Sequence, residues 1–385
     1  MYVCVRGSFF LLGAYYHKPS NYYWIYPAFA LWAADRLARL LRVLIINLPS
    51  LVSPSSTGRA DVQALSDCTL RVSVQRRVHW KPGQHAYLVL PSVSALPWEA
   101  HPFTIASLPS ASRGRPSELV FLIRARDGFT RRLMSRALRQ GGTCTVPALL
   151  DGAYGAPPSL STCETVVLVA GGSGVSYALP LFAAALGGKR GLTRSVLFVW
   201  IVRREMHLGW IAAELQALLG AVPEGVDVQV RLYVTHSGLG DISALPADEQ
   251  EKVPSPTRTG SFATIKSSYS GTAGGVDSSS RGEEVAVAAL LGLPQVTLAE
   301  GRPDVHVLLK DAVQGASGPV SVGGACPFFT NRKGEVLTAV GGSVCGPAGL
   351  SNAVRGVLAQ GDVISWGGAL RGAPVVELHV ETFGW

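Results

Sequence analysis

With 385 residues the chain is long enough for two domains and an additional segment. Its 48% hydrophobic content is low for a membrane protein of many spans and high for a purely soluble one. The net charge of +8 comes from 34 Lys and Arg against 26 Asp and Glu; these bases form no long run, so they read as dispersed arginines facing a membrane surface or nucleotide phosphates, with no nucleic-acid partner.

The first 51 residues are the most membrane-like. Residues 8–16 (SFFLLGAYY) and 22–34 (YYWIYPAFALWAA) are apolar, yet neither reaches the roughly 20 residues of a bilayer span. Asp35, Arg36, Arg39 and Arg42 follow, interleaved with Leu37, Leu40, Leu41, Val43 and Leu44. The pattern predicts the end of one membrane helix, a short loop, and a helix emerging at a basic cytoplasmic border, with Tyr22–Trp24 in an aromatic belt. The alternative is an amphipathic helix lying on a membrane or packed on the body of the protein.

Residues 48–60 read as a Pro/Ser-rich linker. From 61 to about 150, TLRVSVQR, HAYLVLP and ELVFLIRAR are short strands separated by Pro/Gly turns, which predicts a small antiparallel barrel. A helix starts within DGFTRRLMSRAL. From 165 the pattern becomes strand–helix alternation: TVVLVA, SYALPLFAAAL, SVLFVWIV, GWIAAELQALL and DVQVRLYVT predict a doubly wound parallel sheet. Residues 237–285, rich in Ser, Gly and Thr, read as a disordered excursion. Between 318 and 345 two candidate strands flank a stretch that reads as an insertion at about 325–343. The six cysteines form no CxxC pair, which argues against a zinc site or a disulfide framework.

Six short stretches carry chemistry. HPFTIAS, after the turn Pro82-Gly83-Gln84, alternates His101, Phe103 and Ile105 with Pro102 and Thr104 across a strand. An aromatic and a hydroxyl lining a barrel suit a flat ring with polar edges such as isoalloxazine; the plainer reading is a strand with a buried Phe. Gly128-Phe129-Thr130 stands at a strand-to-helix junction, where free N–H groups hold a pyrophosphate and Arg124 and Arg126 add charge; N-capping by Thr130 is the alternative. In GGSGVSYALP, Gly171, Gly172 and Gly174 admit a phosphate close to the backbone, and Ser176 either caps the helix or touches that phosphate. Arg203-Arg204 ends the second strand of the sheet, where Arg accepts a 2′-phosphate and favours NADPH over NADH. Cys345-Gly346-Pro347 puts a thiol beside a glycine that admits the nicotinamide, with no base in the sequence to make it a nucleophile. ETFGW closes the chain with Phe383 and Trp385, aromatics able to stack on a flavin or to dock as part of a terminal strand.

In this order the phrases resemble the ferredoxin–NADP reductase superfamily. More narrowly they resemble the fungal ferric-chelate reductases, relatives of the NADPH oxidases, over nearly the whole chain outside 237–285 and about 325–343. The resemblance implies FAD on His101, Pro102, Phe103, Thr104 and Ile105, with Gly128, Phe129 and Thr130 at its phosphates. It implies NADPH on Gly171, Gly172, Ser173, Gly174, Val175 and Ser176, on Arg203, on Gly301, Arg302 and Pro303, and on Cys345, Gly346 and Pro347. Cys345, Phe383 and Trp385 would lie nearest the hydride transfer. The implied fold is a β-barrel FAD-binding domain (58–155) followed by an α/β doubly wound nucleotide-binding domain (160–385), after an N-terminal membrane-helix remnant (1–47). GAYYHKPSNYYWIYPAFALWAADRLARLLR resembles the end of the family's haem-bearing membrane domain, and His17 matches a haem b ligand. That domain pairs histidines on two helices, whereas His17 is the only His before His79, so the resemblance implies a chain truncated at its N-terminus. DGAYG at 151–155 stands where the family carries an acidic EGPYG-like turn. The implied activity passes electrons from NADPH through FAD to ferric or cupric chelates at a membrane, the plasma membrane, with both domains cytosolic. A superoxide-generating NADPH oxidase and a non-catalytic fragment are the competing expectations.

Overall fold

The computed structural model describes residues 22–52, 58–66, 68–94, 96, 98–109, 116–157, 160, 163–187, 193–236, 278–314, 320–322, 341–346 and 377–382. Helix α1 (Tyr22–Val52) is a single 31-residue helix, with Pro27 in its first two turns and no Gly or Pro before Pro49. It therefore absorbs residues 48–52 of the expected linker. Among the described residues no helix is long and apolar enough to cross a membrane.

The barrel combines two antiparallel sheets. One joins β1 (Arg59–Ser66), β2 (Thr69–Arg76), β5 (Ser117–Arg124) and β6 (Thr143–Pro147) in the order β5-β2-β1-β6. The other joins β3 (His85–Val89), β4 (Ala100–Thr104) and β7 (Leu149–Tyr154) in the order β4-β3-β7. Alternation along β2 and β6 sends Leu70, Val72, Val74, Cys144 and Val146 inward. The amides of Ile105 and Ala106 donate to Gln84 O and Val120 O, which links the end of β4 to β5. Helix α2 (Phe129–Arg139) closes the barrel with Phe129, Leu133, Met134 and Ala137, leaving Arg131, Arg136 and Arg139 outside. Arg76 is buried without a carboxylate, bonded to the carbonyls of Gln75 and Ala148, and its burial lowers its pKa to about 10.

The second unit is the expected doubly wound sheet, ordered β11-β10-β9-β8-β12-β14-β13. Its strands are β8 (Thr165–Gly171), β9 (Ser195–Val202), β10 (Asp227–Val234), β11 (Val296–Glu300), β12 (Val320–Val322), β13 (Gly341–Gly346) and β14 (Glu377–Thr382). Strand β8 is buried throughout, as a central parallel strand must be. The helices are α3 (Val175–Gly187), α4 (Ala212–Leu219), α5 (Ser278–Leu291) and α6 (Val305–Gln314). Helix α5 begins inside the stretch expected to be an excursion, because SSSRGEEVAVAALL buries Val287 and Leu290 in the sheet's core. Residues 237–277 lie outside the described residues. Residues 341–343, placed in the expected insertion, open β13. Both β12 and β13 pair in parallel with β8, β12 at Thr165–Val166 and β13 at Val167–Ala170.

The two units share a core. Ala106 and Leu122 of the barrel belong to the buried cluster of the parallel sheet, and Leu65 packs on it. The Pro82-Gly83 turn presses on α3: at Gly83 (φ +85) a Cβ would meet Pro157 Cβ at 3.0 Å and Tyr177 Cε2 at 3.1 Å, so only glycine fits. Arg71 of β2 bridges to Glu214 of α4 at 2.5 Å.

Candidate functional site

On the barrel, β4 brings the HPFT side chains to the start of α2. The His101 ring stacks on Phe129 at 4.2 Å and 22°, and the Phe103 ring lies 6.4 Å from Phe129. Pro102 is half-buried, Thr104 is 8% exposed, and Ile105 is fully buried. Ile105 and Phe129 are therefore core residues that set the strand and helix. His101 and Phe103 keep partly open faces for a ligand ring. Glu99, which the motif reading missed, lies between two bases: Oε1 is 3.0 Å from His101 Nε2, an ion-pair distance when that ring is protonated, and Oε2 is 3.5 Å from Arg132. Glu99 stands in the loop just before β4, outside the strand pattern.

Thr130 does not cap α2. Its hydroxyl accepts from the Arg126 amide at 2.9 Å and donates to Asp127 O at 3.3 Å, and no side chain caps the helix, whose first residue follows Gly128. Along the flank of the same helix runs a groove of about 490 Å³ lined by Gly128, Arg131, Arg132, Ser135, Arg136 and Arg139, with Ser92 and Val93 opposite. Arg132 and Arg136 hold that opposite loop through the carbonyls of Val93 and Ser92, each at 2.9 Å. A helix start without a side-chain cap, an open approach at Gly128 (nothing within 4 Å of a built Cβ) and the exposed Arg131 near it, 3.4 Å from Asp127, form a donor set that fits a pyrophosphate.

On the sheet, β8 runs into one 3-10 turn, Gly172–Gly174, and then α3. Gly171 and Gly174 are buried, while Gly172 and Ser173 are partly open, and nothing lies within 4 Å of a Cβ built on Gly172. Trp200 of β9 donates Nε1–H to Gly172 O at 3.0 Å and pins the turn. The apolar run SVLFVWIV hid that role. Val175 is buried, and Ser176 is the second residue of α3 at 4% exposure, inside the helix and past its cap position. Arg203 stands exposed just past β9, its carbonyl accepting from the His236 amide at 2.8 Å. Past β11, the Gly301 amide donates to Val234 O at 2.8 Å, Arg302 is exposed, and Pro303 is half-buried. Asp304 caps α6 by accepting from the His306 and Val307 amides.

Parallel pairing puts the ends of β8, β9, β10 and β11 on one edge, so Gly172-Ser173, Arg203 and Gly301-Arg302 lie along it. Cys345 of β13 is in register with Ala170, and Gly346 with Thr382 of β14, at the same edge. An uncapped glycine turn, an exposed Arg and a second glycine turn on this edge form a donor set that fits a nicotinamide dinucleotide. His17, Pro347, Phe383 and Trp385 lie outside the described residues.

A barrel with an anion-binding helix start, joined to a parallel sheet with a glycine turn at its carboxyl edge, is the architecture of a nicotinamide-dependent flavoprotein. Residues 56–158 match the model of an FAD-binding domain, and residues 163–359 match that of the ferric reductase NAD binding domain; the chain belongs to this ferric reductase family. It is 27% identical over 321 residues to a probable ferric reductase transmembrane component of Candida albicans, covering 81% of this chain and 42% of that one. It is 28% identical over 343 residues to ferric/cupric reductase transmembrane component 2 of Saccharomyces cerevisiae, covering 85% of this chain and 42% of that one. The chain thus spans less than half the length of these relatives. A ferredoxin NADP+ reductase from Neisseria gonorrhoeae with bound FAD and NADP is similar at TM-score 0.42 and 12% identity, over 84% of this chain and 97% of that one.

Proposed function

We propose that this chain is the electron-input module of an NADPH-dependent metalloreductase. FAD sits in its barrel (58–155), NADPH lies on its sheet (160–385), and ferric or cupric chelates are the final acceptors, a reading supported by similarity to relatives named ferric/cupric reductase transmembrane components. The observation that carries the reading is the convergence of Gly172-Ser173, Arg203, Gly301-Arg302 and Cys345 on one sheet edge. When bound, the two cofactors supply hydride transfer and the later release of single electrons.

The protein's part is placement. His101 and Phe103 offer ring faces for the isoalloxazine, and Thr104 follows on the other face of the strand. The uncapped start of α2 and Arg131 hold the flavin's pyrophosphate. Gly172 and Ser173 hold the nucleotide's phosphates, and Arg203 receives the 2′-phosphate, which selects NADPH. Gly301, Arg302 and Pro303 border the nucleotide. Cys345, Gly346 and Pro347 face the nicotinamide, and Phe383 with Trp385 covers the flavin until nicotinamide displaces it. The shared core at Ala106 and Leu122 keeps the two ring sites in a fixed relation, as hydride transfer over roughly 3–3.5 Å demands.

Residues 1–47 form the membrane-side segment, placing the module at the cytosolic face of the plasma membrane. His17, matched to a haem ligand, has no role in this account.

The purified chain is expected to carry or take up FAD, with its visible flavin absorbance, and to oxidise NADPH when a dye acceptor is supplied. Protein that binds no flavin and consumes no NADPH contradicts the proposal.

A further inference from the structure

Asp151 of β7 is a carboxylate at 4% exposure that no nucleotide or flavin motif uses. Arg39 of α1 donates Nε–H to its Oδ2 at 3.1 Å, and the Tyr154 hydroxyl donates to its Oδ1 at 2.5 Å. Burial, and then the bond and charge of Asp151, push the Tyr154 hydroxyl above the ordinary tyrosine range. Arg42 reaches Ala153 O at 3.4 Å and lies over the Tyr154 ring at 4.5 Å; Arg39 lies over the Tyr87 ring at 5.4 Å.

Further along α1, Asn47 is 1% exposed. Its Nδ2 donates to Leu150 O at 2.8 Å, and its Oδ1 accepts from the Leu150 amide at 3.0 Å. The amide side chain thus imitates a neighbouring strand along β7, the edge strand of β4-β3-β7.

Apolar burial is not what holds α1 here. Leu37, Leu40, Leu41, Leu44, Ile45 and Leu48 recur at helical spacing and remain exposed. A buried carboxylate and a buried amide are costly unless paired, so both fix the register of α1 against β7. The register continues into the flavin strand. Asp151 pairs with Tyr87, and Tyr87 with Pro102; Leu150 pairs with Leu88, and Leu88 with His101. The clamp therefore grips the two rows of the sheet that carry His101 and Pro102, next to the row of Phe103.

We infer that Arg39, Asp151 and Asn47 are positioning residues that make α1 a rigid arm of the flavin sheet and hold His101 and Phe103 in flavin-binding geometry. The inference rests on the reading that the barrel binds FAD. Its test titrates the full chain with FAD and follows amide exchange at 148–152. Arg39→Ala is expected to weaken FAD about tenfold, the scale of a lost charge-assisted bond, and to speed exchange of the Leu150 amide. Arg39→Lys is expected to recover part of the affinity, because an ammonium still pairs with the carboxylate but gives up the second N–H contact and the stack on Tyr87. Asn47→Ala is expected to speed the same exchange with a smaller loss of FAD, and it decides the matter should Arg39→Ala fail to fold. Wild-type chain that binds no FAD defeats the functional reading itself. Wild-type chain that binds FAD, with Arg39→Ala and Asn47→Ala matching it in affinity and exchange, overturns the inference.

Discussion

The barrel and the parallel sheet build their sites in different ways. In the sheet the site is almost all backbone: strand ends, two glycine turns and helix starts on one edge, with Arg203 and Trp200 as its main side-chain additions. In the barrel the site is side chains, namely the His101–Phe129 stack, Glu99 between His101 and Arg132, and the arginines of α2. The sheet's site follows from topology once the strand order is fixed. The barrel's site depends on supports that can be removed one at a time.

The largest expected effect is at the junction of the two. A Val in place of Gly83 must adopt a positive φ and push its Cβ against Pro157 and Tyr177. We expect a loss of about 1–3 kcal/mol for the backbone alone, seen as a lower denaturant midpoint, with slowed flavin reduction as α3 shifts from the barrel. Next is Arg203→Ala, which removes a charge-assisted contact worth about 1.5–3 kcal/mol. The KM for NADPH is expected to rise roughly 10- to 100-fold while that for NADH changes little. Equal losses with both nucleotides would show that Arg203 does not read the 2′-phosphate.

Trp200→Phe keeps the ring's bulk and deletes the bond to Gly172 O. A neutral bond of about 1 kcal/mol predicts a KM for NADPH raised roughly fivefold with FAD binding untouched, so this change affects the sheet and spares the barrel. Smallest is deletion of 323–340. Strands β12 and β13 both lie beside β8, and Val322-Gly323-Gly324 repeats as Val340-Gly341-Gly342. Joining Val322 to Gly341 is expected to leave one strand in that slot, with melting temperature and NADPH oxidation equal to or above those of the full chain. Loss of folding on deletion would show that the segment is needed.

Legibility in the sequence divides along the same line. The run TVVLVAGGSGVSYALP announces a buried strand, a glycine turn and a helix within sixteen consecutive letters (165–180), and the structure follows it. HPFT was legible as a strand, yet Glu99 and Arg132 were not, because their meeting joins a loop to a helix 33 positions away. Thr130 and Ser176 looked like caps because capping preference is local. The fold spends Thr130 on the Asp127 loop and buries Ser176. Arg39 and Arg42 read as a membrane border, and Asn47 drew no reading. Their partners, Asp151, Ala153 and Leu150, stand 103 to 112 positions along the chain, beyond the reach of any local pattern. The departure at 151–155 from the expected turn was visible, while the burial of its acid was not.

The most direct test of the central claim is anaerobic mixing of FAD-loaded full chain with NADPH, following the flavin's visible band. Rapid bleaching by NADPH, slower bleaching by NADH, and loss of that preference in Arg203→Ala are expected. A flavin that binds but stays oxidised with either nucleotide would contradict the claim.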